Sequence, residues 1–244
     1  EDGFYPRLDE EKHCYNNFNY QNYSLDNITE SSLGDADIDP NKPLILGMDW
    51  GKNINCLVVA QNHSNVEMRI LNNFFVFYPQ IIDDLITEKF APYYQNHKNK
   101  TIYLWYDPTG NINQANSKKT YAEQAKEKFE EFGWQVILMT KGVHNVLHET
   151  KYYLMLDILK EENSKYPALR FNKSNCKELW ISMSNAPAKI GRNESIKKDK
   201  SSESKKGLDQ SHATHLSDAF DVIIVGMFLN RMNTGTTFIE TRTY

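Results

Sequence analysis

The chain has 244 residues, a formal net charge of −4, 40% hydrophobic and 25% charged residues. That is enough for one large domain or two small ones with a sizeable core, in a composition ordinary for a soluble globular protein. No apolar run approaches the roughly 20 residues of a membrane helix, so a membrane partner is not expected. The start, Glu1-Asp2-Gly3-Phe4, is neither basic nor followed by the apolar stretch of a signal peptide. Because the chain begins without Met, it is expected to be excised from something longer or processed. Cys14, Cys56 and Cys176 are odd in number, far apart and without a CxxC pair. They argue against a disulfide framework or a zinc ribbon and read as ordinary thiols of a reducing compartment.

The net charge hides an asymmetry. Residues 1–40 carry −8, which leaves +4 on the remainder. An acidic arm on a mildly basic body is compatible with a nucleic-acid partner. Residues 1–43 read as an acidic, linker-like arm whose aromatics (Phe4, Tyr5, Tyr15, Phe18, Tyr20, Tyr23) are available to pack on the body. Asp39-Pro40-Asn41-Lys42-Pro43 breaks the chain before the first strand. The body is expected to run over 44–244.

The apolar run Leu44-Ile-Leu-Gly-Met-Asp-Trp-Gly51 reads as a strand over about 44–50, buried on both faces and ending on one carboxylate. Short turns join it to strands at Ile54–Gln61 and Val66–Tyr78, an antiparallel meander. Pro79 is expected to open a helix whose stripe is Ile81, Ile82, Leu85, Ile86 and Phe90. A strand follows over Thr101–Tyr106, then a helix over Thr120–Phe132 stopping at Gly133, and a strand over Trp134–Met139. Helices are expected over Asn145–Lys160 and Lys173–Met183. Residues 185–211 are polar, with seven Lys/Arg against four acids. They read either as a solvated loop or as a nucleic-acid contact. In the last helix, Leu216, Ala219, Phe220, Ile223, Ile224, Met227 and Phe228 form one stripe. Val222, Val225 and Leu229 lie on the other side, so this helix is expected to be sandwiched. The expected fold class is α/β: a mixed sheet of a three-stranded antiparallel meander plus parallel strands, flanked by helices.

Asp49 and Asp107 each end a predicted strand, and Asp218 stands in the first turn of the last helix beside His215. Three carboxylates converging without a cation would be costly, because like charges at close range raise pKa values. Divalent metals remove that cost, and hard oxygen ligands with open positions select Mg²⁺ or Mn²⁺. Two such ions about 3.5–4 Å apart clamp the attacking and leaving oxygens of a phosphodiester. Each residue also has a plainer reading. Asp49 and Asp107 suit turns, and Asp218 suits the helix dipole. His215 suits a cap, a partner of a ligand, a ligand or a proton shuttle. Asp221, one turn beyond Asp218, reads as rotated away from it, with a polar or ion-paired role.

Gly47-Met-Asp-Trp-Gly51, Tyr106-Asp-Pro-Thr-Gly-Asn111 and His215-Leu-Ser-Asp-Ala-Phe-Asp221, in this order on these elements, resemble the C-terminal nuclease domain of the large terminase subunit of tailed bacteriophages, within the RNase H-like superfamily. The resemblance covers roughly residues 44–231. It implies an RNase H-like, metal-dependent DNA endonuclease that cuts concatemeric viral DNA during genome packaging, using Mg²⁺ or Mn²⁺ as two ions. Asp49, Asp107 and Asp218 would be the metal ligands, with His215 beside them. Lys141, Lys189, Arg192, Lys197, Lys198 and Lys200 would contact DNA phosphates, which position but do not specify. The implied partners are double-stranded DNA, the ATPase domain of the same full-length protein, the portal and the small terminase subunit, in the cytoplasm of a bacterial host. This chain has no Gly-x4-Gly-Lys-Ser/Thr loop of its own. Other readings keep part of the pattern: a Holliday-junction resolvase-like or other structure-specific nuclease, a sugar-kinase-like ATP-binding half, or a catalytically silent DNA-binding or docking module.

Overall fold

Side chains alternate along an extended strand. The run Leu44–Trp50 therefore puts Leu44, Leu46 and Met48 on one face and Ile45, Gly47 and Asp49 on the other. The structure is a computed structural model that describes residues 13–15, 18, 37–51, 53–113, 118–140, 146–190, 196–205 and 207–233. In it β1 spans Leu44–Trp50 and keeps this split. Leu44, Leu46 and Met48 enter one core with Leu57, Val59 and Leu104, while Ile45 enters a second core with Val58, Phe220 and Ile223.

β2 (Ile54–Asn62) and β3 (Glu67–Phe77) complete an antiparallel meander with β1. β4 (Thr101–Tyr106) pairs parallel with β1, and β5 (Gln135–Leu138) pairs parallel with β4. β6 (Ala168–Phe171) adds to the far edge of β3, also parallel. The strand order is β5-β4-β1-β2-β3-β6. This is the mixed sheet expected from the sequence, an antiparallel meander extended by parallel strands.

Helices cover both faces. On the first core lie α1, a continuous helical stretch of Ile82–Asp84, a π-helical Leu85–Phe90 and Ala91–Tyr93, and α2 (Tyr121–Glu131). A reciprocal cap starts α2. The Thr120 hydroxyl accepts from the Glu123 N–H at 3.1 Å, and the Glu123 carboxylate accepts from the Thr120 N–H at 3.0 Å. On the second core lie α3 (His148–Lys160), α4 (Lys177–Ser184) and α5 (His215–Asn233).

Three sequence expectations shift. Pro79 does not open α1. The turn holds it, with the Gln80 N–H bonded to the Phe77 carbonyl at 2.9 Å, and the helix starts where Asp84 accepts from the Ile81 N–H at 2.8 Å. The strand β6 is additional. Its four residues are too few to show a period, and the pairing of Met68 with Leu169 and of Ile70 with Phe171 defines it. Within 185–211 there is local structure: β7 (Ala188–Ile190) and β8 (Ile196–Lys198) form a two-stranded hairpin. The α3 helix begins at His148, and residues 141–145 lie outside the described residues.

The expectation that the last helix is sandwiched holds. It lies across β1, β2 and β4 on one side and against α3 and α4 on the other. Two glycines set how closely it docks. A Cβ at Gly47 of β1 would stand 2.0 Å from the Ala219 carbonyl oxygen, and a Cβ at Gly226 of α5 would stand 2.1 Å from the Trp105 ring of β4. At Gly47 strand and helix backbones therefore approach directly, and at Gly226 the helix backbone rests on the Trp105 ring. Gly47→Ala should lose about 1–3 kcal/mol of stability, the usual cost of overpacking a core, as read by urea denaturation. An unchanged midpoint would show that the docking distance is not set at this contact.

Candidate active site

The parallel register of β1 and β4 ends on the pair Met48–Tyr106. The next residue of each strand is an aspartate, Asp49 or Asp107. Alternation places both on the α5 side, since Tyr103 and Trp105 already pack against the second core. Asp107 also caps the short helical turn Pro108–Asn111, accepting from the Thr109 N–H at 2.9 Å. From α5, Asp218 and Asp221 are three residues apart and share a face. Asp49, Asp107, Asp218 and Asp221 all line one cleft of about 100 Å³, with His148 and Lys151 of α3 on its wall. Asp221 is thus not rotated away from Asp218, because a spacing of three is nearly one full turn.

His215 opens α5 and hydrogen-bonds Asp49, with Nδ1 3.0 Å from Oδ2. Burial lowers the pKa of this imidazole, but the Asp49 carboxylate outweighs burial and holds it above the ordinary histidine value. Burial raises Asp49, and the nearby Asp218 charge adds to this, while the His215 bond opposes it.

The β7–β8 hairpin delivers two ammonium groups to the same place. Lys198 turns inward: its Nζ lies 2.7 Å from Asp218 Oδ1, 2.6 Å from Asp221 Oδ2 and 3.1 Å from Ser217 Oγ. Its side chain is only 9% exposed. Lys200, just beyond the hairpin, forms an ion pair with Asp218 Oδ2 and is 50% exposed. Burial alone would raise the Asp218 carboxyl; the two ammonium groups override it and hold the pKa below the usual carboxylate range. Burial would likewise lower both lysines, and their carboxylate partners raise them instead.

A residue of the N-terminal arm completes the cluster. Tyr15 is buried, and its hydroxyl lies 2.8 Å from Asp221 Oδ1 and 2.7 Å from Lys198 Nζ. The arm segment is anchored where the Cys14 N–H bonds the Ala186 carbonyl at 3.1 Å and His13 bridges to Pro187. Cys14 also lines the cleft, but burial pushes its thiol up to about 12, so it offers no thiolate nucleophile.

The remaining sequence-derived lysines are placed differently. Lys189 of β7 pairs with Asp199, away from the cleft lining, and stands opposite Lys197 in the hairpin register. Lys141 and Arg192 lie outside the described residues. Sequence reasoning placed Tyr15 among the aromatics that pack on the body, as it does, but missed its place in this cluster, for which the aperiodic arm holds no signal. It also missed the inward turn of Lys198, which a run of alternating charges hides. The i, i+3 spacing of Asp218 and Asp221 was sufficient to place Asp221.

Does the donor set suit a metal ion? Carboxylate oxygens from three elements are what Mg²⁺ and Mn²⁺ take. Asp218 Oδ2 is buried and meets only the ammonium of Lys200, which is half exposed. An acceptor that already faces an exchangeable cation suits a metal ion, so the residues fit. Among the described residues, no three His, Cys, Asp or Glu side chains already converge at metal-holding distance. The lysine ammonium groups fill that space and gather the carboxylates around themselves.

No known protein-family description and no curated protein matches this sequence. Among solved structures, the chain is similar to the large terminase nuclease from thermophilic phage G20c with bound magnesium, at 9% identity, covering 77% of this chain and 83% of that one with a TM-score of 0.47. It is also similar to the large terminase nuclease domain of Thermus phage P74-26, at 13% identity, covering 75% and 81% with a TM-score of 0.46.

The hydroxyl of the buried Tyr15 has two charged partners. Tyr15→Phe should therefore lose about 1.5–3 kcal/mol, the range for a hydrogen bond to a charged group, measured by chemical denaturation. Parent-like stability would mean that the arm is not held through this hydroxyl.

Proposed function

We propose that this chain is a divalent-metal-dependent DNA endonuclease of the large-terminase kind. The observation that carries the reading is the convergence of Asp49 and Asp107, neighbours at the tips of two parallel strands, with Asp218 of α5 in one cleft. Two of these carboxylates sit on rigid strand ends, which is the placement that holds ligands in fixed geometry. Basic side chains on the rim suit a polyanionic substrate.

A bound divalent ion supplies positive charge at the phosphodiester and lowers the pKa of the attacking water. The chain's own residues do the rest. Asp49, Asp107 and Asp218 present hard oxygens for Mg²⁺ or Mn²⁺. His215 fixes the orientation of Asp49 through its Nδ1 bond. Lys200 pairs with Asp218 Oδ2 and is half exposed at the mouth; with a divalent ion held by Asp218 it would be free to meet a DNA phosphate. Lys151 on the cleft wall and Lys197 on the hairpin are further phosphate contacts, which orient the duplex without reading its sequence. In this reading the substrate is concatemeric viral DNA in the cytoplasm of a bacterial host. The ATPase domain of the full-length protein, the portal and the small terminase subunit are its partners.

The test is plasmid cleavage with Mn²⁺, Mg²⁺ and EDTA. Cleavage should appear with either ion and vanish with the chelator. Asp107→Asn should cut the rate by more than about a hundredfold, the upper end of what losing a mere ligand-supporting partner costs, while leaving the fold intact, since Asp107 lies beyond the strand and outside both cores. Metal-independent cleavage, or parent-like activity in Asp107→Asn, would overturn the reading.

A further inference from the structure

The two lysines of the cleft are not equivalent. Lys200 pairs with Asp218 and, at 3.7 Å, with Glu203, and half its side chain is in solvent. Lys198 is enclosed. Four oxygens surround its ammonium: Asp218 Oδ1 at 2.7 Å, Asp221 Oδ2 at 2.6 Å, Tyr15 OH at 2.7 Å and Ser217 Oγ at 3.1 Å. An ammonium has three donors, so this one is fully committed to the protein. Its backbone is pinned by the β7–β8 pairing, and the Tyr15 ring lies 5.1 Å from the charge. The arrangement is an oxygen shell built around a fixed cation.

Its position matters for how many ions the cleft can take. Two-metal hydrolysis uses two cations about 3.5–4 Å apart. Asp218 is the carboxylate that meets both ammonium groups here, one on each oxygen. Its Oδ2 faces Lys200, which also lies in the field of the Asp49 charge; its Oδ1 faces Lys198, which also holds Asp221. The first side opens to solvent through the half-exposed Lys200, whereas the second is closed and fully satisfied.

We propose that Lys198 is a resident cation occupying the second metal position, so that the site takes one exchangeable divalent ion, between Asp49, Asp107 and Asp218, and not two. This rests on the endonuclease reading above. Lys198 is a positioning residue: it touches no substrate, fixes the rotamer of Asp218 and neutralises Asp221. Lys200 is the placeholder that the exchangeable ion displaces.

The test counts Mn²⁺ ions bound per chain, by titration calorimetry and by the electron paramagnetic resonance of free Mn²⁺, with no substrate present. The parent should bind one ion. Lys198→Met, which keeps the length and removes the charge, should bind two, because the Asp218–Asp221 pair is then open to a cation. A parent that binds two ions overturns the proposal, as does a Lys198→Met protein that folds and still binds one. A parent that binds none overturns the endonuclease reading itself, which keeps the two failures distinct. Should Lys198→Met not fold, two other variants decide. Asp49→Ala should weaken the single ion by at least about tenfold, the lower end for groups that support a metal. Asp221→Asn should leave its affinity within about threefold, well inside the tenfold lower bound for such groups. Loss of the ion in Asp221→Asn would place it on the Lys198 side and overturn the proposal.

Discussion

The approach of α5 to β1 is the constraint on which the site depends. Asp49 points toward the helix because it shares a strand face with Ile45 and Gly47, and it meets His215 only because Gly47 lets the Ala219 backbone come close. A larger residue at 47 would lift the helix and separate Asp218 from both strand-borne aspartates. The spacing of the acids is thus set by an absence of side chain two residues before Asp49, against the residue that follows Asp218. It is held there by the apolar face of α5, with Ala219, Phe220, Ile223 and Ile224 fully buried. Burying side chains of this kind contributes about 1.5–3 kcal/mol each for the larger ones, which keeps the helix seated against the repulsion of the acids at its start.

That repulsion is managed locally. Asp49, Asp218 and Asp221 are each less than a fifth exposed. Each has a cationic or imidazole partner: His215 for the first, Lys198 and Lys200 for the second, Lys198 for the third. Buried ion pairs add little net stability relative to an apolar packing, because desolvating the charges is expensive, while removing one partner leaves a costly bare charge. A cluster of this kind is poorly explained as a device for stability. Its value lies in holding the carboxylates oriented in a largely buried cleft, with the two ammonium groups keeping the Asp218 carboxyl below the usual range.

Much of this was legible in the sequence, and the residues show why. Strands of six or more residues announced themselves by apolar runs, as in Leu44–Trp50 and Thr101–Tyr106. The acids at their tips were visible for the same reason. The four-residue β6 and the three-residue strands of the hairpin were not: the equally short β5 carries the apolar run Val136-Ile137-Leu138, whereas Arg170, Lys189, Lys197 and Lys198 interrupt these strands and tertiary pairing defines them. The hairpin's Ile196-Lys197-Lys198 reads as a solvated charge run in one dimension; only the fold shows that alternate lysines take opposite environments. The crossing of the last helix was likewise hidden, because it depends on glycines in two different elements meeting their neighbours.

Tyr15 has a consequence for where this unit begins. Composition puts the break at Asp39–Pro43, between an acidic arm and a strand-rich body. Yet Tyr15 supplies one of the oxygens around Lys198 and is itself buried against Ser217 and Asp221. A fragment trimmed to start at Leu44 would retain every strand and helix described above and still lack part of the wall of its own cleft. The minimal autonomous piece is therefore defined by the site and not by the sheet, and it reaches back into a segment that composition alone would discard.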